Sequence, residues 1–336
     1  MSVCYLGFDM SIIGIESLIY GVDDVELCTR YFRDFGLEQE RSDAQEAVFR
    51  LAEGSKVVVR SINDPRIPKS KQLGIGVREV VWGVDSQASL DALVLDLQRD
   101  RDVFIDEEGI ARFFTDSGLA FALRVFARRP VINASVGANA SGAIQRLNMP
   151  RVWRTRACPK TINHVVFAVP DFLAETTFFR ERLGFKLSDY QRGVGVYLRA
   201  SGSNNHHSLL AINASAPFPG MDGQLRFHHA NFGVADIDEL MVGVNNMERC
   251  GWPKSHVGVG RHRVDSALFC YLPSPAGGET EYGTDSDYVD DTWVPREWPI
   301  PLFAYSHWTQ NIPQFLENLP EWEVRYLTDG KLPSEK

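Results

Sequence analysis

Cysteine is scarce and poorly placed for crosslinking. The 336 residues hold five, Cys4, Cys28, Cys158, Cys250 and Cys270, with no CxxC pair among them. An odd, scattered set excludes a disulfide framework and a cysteine-rich zinc site; it reads as the reduced thiols of a cytoplasmic protein. Long apolar runs are also missing. No stretch approaches the roughly 18 uninterrupted apolar residues of a membrane helix. The opening MSVCYLGFDM lacks the basic n-region and long apolar core of a secretory leader. Nor is there a basic run. Lys and Arg number 35 against 44 Asp and Glu, a formal net charge of -9 spread along the chain. That argues against a nucleic-acid partner, whose phosphates need clustered cations. What remains, 44% hydrophobic and 24% charged, is the balance of a soluble globular protein. The length suits two domains of ordinary size or one large one.

What the chain does have is internal repetition. The stretch from Ser17, SLIYGVDDVELCTRYFRDFGL, resembles the one from His164, HVVFAVPDFLAETTFFRERLGF. Each reads as a short apolar strand, a V-x-D turn, a helix carrying aromatics and a glycine stop, at Gly36 and Gly184. Two further openings begin at Glu79, EVVWGVDSQASLDAL, and at His229, HANFGVADIDEL, where Asp or Ser can cap the next helix. Strand-like segments follow at 57–60, 120–126, 196–198, 209–212, 268–272 and 279–282. The pattern predicts an α+β fold of four strand–helix–strands units. One unit cannot bury both faces of its sheet, so units should pair around a shared core. The expected division is an N-terminal domain over 1–130, a Gly-, Ala-, Ser- and Asn-rich linker over 131–160, a C-terminal domain over 161–290 and a Pro- and Trp-rich tail over 291–336, packed across the surface. The competing reading is two unrelated α+β domains whose openings coincide by chance.

Seven of the eight histidines lie between positions 164 and 262. A lone strand histidine is more often packed than ligating, but position alters the odds. His164 and His229 head the first strands of their units, so paired units bring them together. The last strand, SPAGGETEYG, adds an inward carboxylate. Alternation allows Glu279 or Glu281, and the E-Y-G context favours Glu281. Two imidazoles and one carboxylate on one face are the facial triad of non-haem iron(II) oxygenases. The matching N-terminal positions, Ser17, Glu79 and Ala122, cannot hold a metal.

With these residues the chain resembles the type I extradiol ring-cleavage dioxygenases of the vicinal oxygen chelate superfamily over about residues 10–290. The most specific segment is GRHRVDSALFCYLPSPAGGETEYG, 260–283. There the family carries an active-site His, a Tyr and the Glu ligand in the order of His262, Tyr271 and Glu281. HHSLLAI matches the strand bearing the family's catalytic His, best placed at His207, with His206 left open. The resemblance implies four βαβββ modules in two barrel-like domains, with Fe(II) on His164, His229 and Glu281 in the C-terminal one; Mn(II) suits the same donors. It further implies a small-molecule catechol and O2 as substrates and self-association into a homo-oligomer, while the lack of long apolar runs leaves no membrane partner expected. His207 would act as acid and base. His262 and Tyr271 would hold the substrate oxygens, and Asp265 would orient His262. Isomerases, lyases and ligand-binding proteins of the glyoxalase and bleomycin-resistance type share the fold, so fold alone does not decide the reaction.

Overall fold

Each of the four repeat openings folds into a long strand, a capping turn and a helix. They are β1 (Ile12–Val22) with α1 (Val25–Phe35), β5 (Gly76–Val84) with α2 (Gln87–Leu97), β9 (Thr161–Val169) with α3 (Phe172–Arg182), and β13 (Arg226–Gly233) with α4 (Ile237–Arg249). The computed structural model describes residues 11–133, 137–218, 220–299, 304–311 and 324–333. Cys4, the rest of the opening ten residues, and parts of the linker and tail segments lie outside the described residues.

The turn residues explain why the helices start where they do. Asp24 accepts a hydrogen bond from Leu27 N at 2.8 Å, Ser86 from Ser89 N at 3.2 Å, Asp171 from Ala174 N at 3.0 Å and Asp236 from Glu239 N at 2.9 Å. Each satisfies a backbone donor that the first helical turn leaves unpaired. Gly36 ends α1 in the left-handed region at φ 105. A side chain there would also meet the carbonyl oxygen of Ala157 at 2.1 Å, so only glycine fits.

Three further strands complete each unit: β2 (Glu38–Ser42), β3 (Glu46–Arg50) and β4 (Lys56–Ser61); β6 (Phe104–Ile105), β7 (Ala111–Phe114) and β8 (Ala120–Val125); β10 (Lys186–Gln191), β11 (Gly195–Arg199) and β12 (Leu209–Asn213); β14 (Val259–Arg261), β15 (Leu268–Pro273) and β16 (Glu279–Thr284). The first two units join through antiparallel β1 and β5 into an eight-stranded sheet, ordered β2-β3-β4-β1-β5-β8-β7-β6. The last two join through β9 and β13 in the same way. This is the α+β architecture of paired units expected from the repeats. The segment after residue 290 does more than cross the surface. Its strands β17 (Arg296–Trp298), β18 (Trp308–Thr309) and β19 (Arg325–Tyr326) extend the second sheet to eleven strands, β17 pairing parallel to β10.

Helices of one half pack on the other half, so a single apolar core runs through both. Phe35 of α1 stacks on Tyr282 of β16, with ring centroids 4.1 Å apart and planes at 4°. The Tyr282 hydroxyl donates to the Phe35 carbonyl at 2.6 Å. On the other side Trp82 of β5 meets Phe185 edge-on at 5.0 Å, and Phe121 of β8 meets Phe179 of α3 at 5.1 Å. Side chains alternate along a strand. With Thr280 and Tyr282 turned toward α1, Glu279 and Glu281 must turn the other way. No described helix is long and apolar enough to cross a membrane.

Candidate metal centre

Strand register brings the three expected ligands to one point. Asn231 of β13 lies opposite His164 of β9 and opposite Glu281 of β16, with His229 two residues back on the same face. His164 Nε2 and His229 Nε2 stand 3.3 Å apart. Glu281 Oε2 lies 3.2 Å from the first and 3.4 Å from the second. An ion about 2.2 Å from three donors at right angles spaces them about 3.1 Å apart, so the triangle fits one first-row ion on a facial set. Glu281 is 1% exposed, and neither of its oxygens receives a well-directed hydrogen bond among the described residues. A buried carboxylate in that condition is costly unless a cation completes it. Burial pushes the carboxyl up, but the imidazoles of His164, His262 and His229 outweigh it and hold the group well below the usual carboxylate range. Burial also drives His229 well below the usual imidazole value. An anionic carboxylate and a neutral imidazole are the ligating forms.

The N-terminal half repeats the register without the chemistry. Val81 of β5 lies opposite Ser17 of β1 and opposite Ala122 of β8, and Glu79 falls where His229 does. Glu79 there is buried and paired with Arg112 at 3.2 Å.

A cavity of about 710 Å³ opens beside the triangle, walled by Val194, Tyr197, Leu210, Ile212, Phe218 and Tyr305. His207, His262, Tyr271 and Glu279 also reach it. His207 stacks on His164, centroids 4.1 Å apart. Burial, with the neighbouring His164 and His206 imidazoles, pushes its pKa well below the usual value. Of the adjacent pair, His206 turns away and is fully buried, its Nε2 3.1 Å from Asp189 Oδ2. The Tyr271 hydroxyl sits 3.2 Å from His262 Nε2, which is 3.5 Å from Glu281 Oε1. Burial lowers the His262 pKa, yet Glu281, Asp265 and the Tyr305 carbonyl together raise it above the usual value. Burial and Glu281 raise the Tyr271 phenol well above its usual value, so it stays a protonated donor. Glu279 is pushed up to about 7 by burial and by Glu281.

One expected contact is not made. Asp265 does not orient His262. A turn closed by His262 N donating to Ala267 O at 2.8 Å swings Asp265 toward His207, whose Nδ1 is 4.0 Å from Oδ2. Ser286 Oγ donates to that same oxygen at 3.0 Å. His262 is held instead by the Tyr305 carbonyl at Nδ1 and by stacking on Phe269, centroids 3.8 Å apart. Sequence reasoning missed Tyr305 and the group Asp189, Arg296 and Trp298. A signal for Asp189 was present: a lone acid between Leu187 and Tyr190 in an otherwise half-apolar strand.

Known proteins resemble this chain in sequence and in fold. Residues 161–244 match the family described as Glyoxalase/Bleomycin resistance protein/Dioxygenase superfamily. The chain is 30% identical over 184 residues to metapyrocatechase 2 of Cupriavidus necator, covering 55% of this chain and 51% of that protein. It is 31% identical over 149 residues to an iron-dependent extradiol dioxygenase of Rhodococcus jostii strain RHA1, covering 40% and 47%. These matches span about half the length of the relatives. Among solved structures, the Mn(II)-bound glyoxalase from Novosphingobium aromaticivorans superposes with a TM-score of 0.69 at 22% identity, covering 93% of this chain and 96% of that one. At that identity the likeness establishes the fold.

Proposed function

Taking residues 161–244 as a domain of the glyoxalase/bleomycin resistance protein/dioxygenase superfamily, we propose that the protein is an iron(II)-dependent extradiol dioxygenase. It opens a catecholic ring beside the two hydroxyls and adds both atoms of O2. The observation that carries this reading is the buried triangle of His164, His229 and Glu281 facing a largely apolar cavity. Fe(II) held there supplies a Lewis acid that acidifies a chelating diol and gathers both reactants within bonding reach. Mn(II) suits the same donors.

The remaining work falls to the chain's own groups. His207, neutral and in the cavity wall, takes a proton from the substrate hydroxyl and returns it later. The Tyr271 hydroxyl and the His262 imidazole donate to the oxygen on which negative charge develops. The apolar walls keep water from the reacting atoms. An isomerase or lyase of the glyoxalase type is the competing reading, and the Mn(II)-bound glyoxalase shares the fold. That chemistry calls for a fourth protein ligand, a carboxylate on the last strand of the third unit; β12, LLAIN, carries none.

The test is anaerobic loading with Fe(II), followed by monocyclic and bicyclic catechols under 18O2. Yellow ring-fission products carrying two labelled atoms are expected. A fully loaded protein that converts none of these catechols would overturn the reading.

A further inference from the structure

A largely buried chain of polar groups runs behind His207. Asp189 on β10 is 0% exposed. Its Oδ1 accepts from the Arg296 backbone N–H at 2.7 Å, and its Oδ2 from Arg296 Nη2 at 2.6 Å and Trp298 Nε1 at 3.1 Å. Arg296 Nε lies 3.1 Å from both oxygens. A carboxylate bound in this way to a guanidinium is an acceptor only. The next neighbour, His206 Nε2 at 3.1 Å, must therefore carry its proton and donate. With the Asp189 charge already balanced by Arg296, a protonated His206 would be an uncompensated buried cation, so its Nδ1 keeps the lone pair; 3.2 Å from it stands His207 Nδ1. Two lone pairs cannot face each other at that distance, so the proton of His207 lies on Nδ1. The Asp265 carboxylate, 4.0 Å from the same nitrogen, favours the proton there too. His207 Nε2 has no partner among the described residues, and its ring lines the cavity.

We infer that Asp189 and His206 are positioning residues that lock His207 in the Nδ1–H tautomer, with the Nε2 lone pair presented to the cavity. His207 then begins the reaction as a base and can donate only after it has accepted a proton. The order of its two roles is thus set by hydrogen bonds made on its far side, two of them anchored by Arg296 and Trp298 of β17. This rests on the dioxygenase reading for the reaction served, but not for the tautomer itself.

The experiment uses the full-length protein. With diamagnetic Zn(II) added in place of iron, 15N-histidine NMR reads which His207 nitrogen is protonated. Nδ1–H is expected in the wild type; Nε2–H overturns the inference, whether or not any catechol is turned over. In His206→Leu the Nδ1–H preference should be lost. In the iron-loaded enzyme kcat should then fall about 100-fold or more with KM nearly constant, as expected when a catalytic imidazole loses its tautomer. His206→Asn can accept at Oδ1 and donate at Nδ2, so it should recover the Nδ1–H signal and much of the loss. Asp189→Leu removes the acceptor from His206 Nε2, so the Nδ1–H preference of His207 should weaken there too; metal content checks that each variant is folded. Unchanged His207 signals and kcat within twofold of wild type in both His206→Leu and Asp189→Leu would overturn the inference.

Discussion

Addition of a divalent metal should raise the thermal stability of this protein by an amount that can be worked out beforehand. A ligand that binds only the native state stabilises it by about 2.7 kcal/mol at a free concentration 100 times its Kd. Unfolding entropy near the transition is about 2.1 cal/mol/K per residue. For 336 residues that makes about 0.7 kcal/mol/K, so the midpoint should climb by about 4 °C. The shift belongs to one transition, because Phe35, Tyr282, Phe121 and Phe179 tie both halves into one core. Scanning calorimetry with Mn(II), which tolerates air, measures it directly. His164→Ala, His229→Ala and Glu281→Ala should each abolish the shift, since each removes one corner of the donor triangle. Glu79→Ala should leave it intact, because Glu79 is engaged by Arg112 and its partner positions are Ser17 and Ala122. A full shift surviving in the three ligand variants, or lost with Glu79, would refute the assignment.

Three more outcomes can be checked. His207→Ala should keep its metal by elemental analysis yet lose roughly 100- to 10,000-fold in kcat, the worth of a general acid–base group. Phe32→Ala should lower the unfolding free energy in urea by about 3–5 kcal/mol, since the ring is fully buried against Tyr20, Tyr31 and Phe49. Cys158 and Cys250 are exposed, whereas burial pushes the Cys28 and Cys270 thiols up to about 12. A thiol reagent at neutral pH should modify the first two quickly and reach the buried pair only as the protein unfolds.

Much of this was legible in the sequence, for a physical reason. Repeats, capping residues and strand periodicity are local, and they set the helix starts at Asp24, Ser86, Asp171 and Asp236 and the inward face of Glu281. The pairing of His164 with His229 followed from one inference beyond the local, that repeated units pair about their first strands. What could not be read depended on contacts distant in sequence. Asp189 meets Arg296 across 107 positions, and no periodicity announces such a partner. Asp265 was assigned to His262 because it is near in sequence. The turn at 262–267 sends it to His207 instead, since orientation around a tight turn is decided by backbone dihedrals, not by spacing.

The two faces of β16 carry a consequence for how this protein can vary. Thr280 and Tyr282 serve the seam with α1, while Glu279 and Glu281 serve the cavity. Inserting or deleting one residue in the preceding turn would exchange the faces, presenting a hydroxyl and a phenol where the carboxylates belong and burying two acids against α1. That turn is tightly hemmed: side chains at Gly277 and Gly278 would meet the carbonyl oxygens of Ile75 and His228 at 2.5 and 2.2 Å. Length changes there are lethal twice over, to folding and to chemistry. Substitutions in the apolar cavity walls reshape the cavity without shifting the register of β16. Diversification under selection for new substrates should therefore accumulate as substitutions at Leu210, Ile212 or Phe218, while the chain length from Ser274 to Glu281 stays frozen.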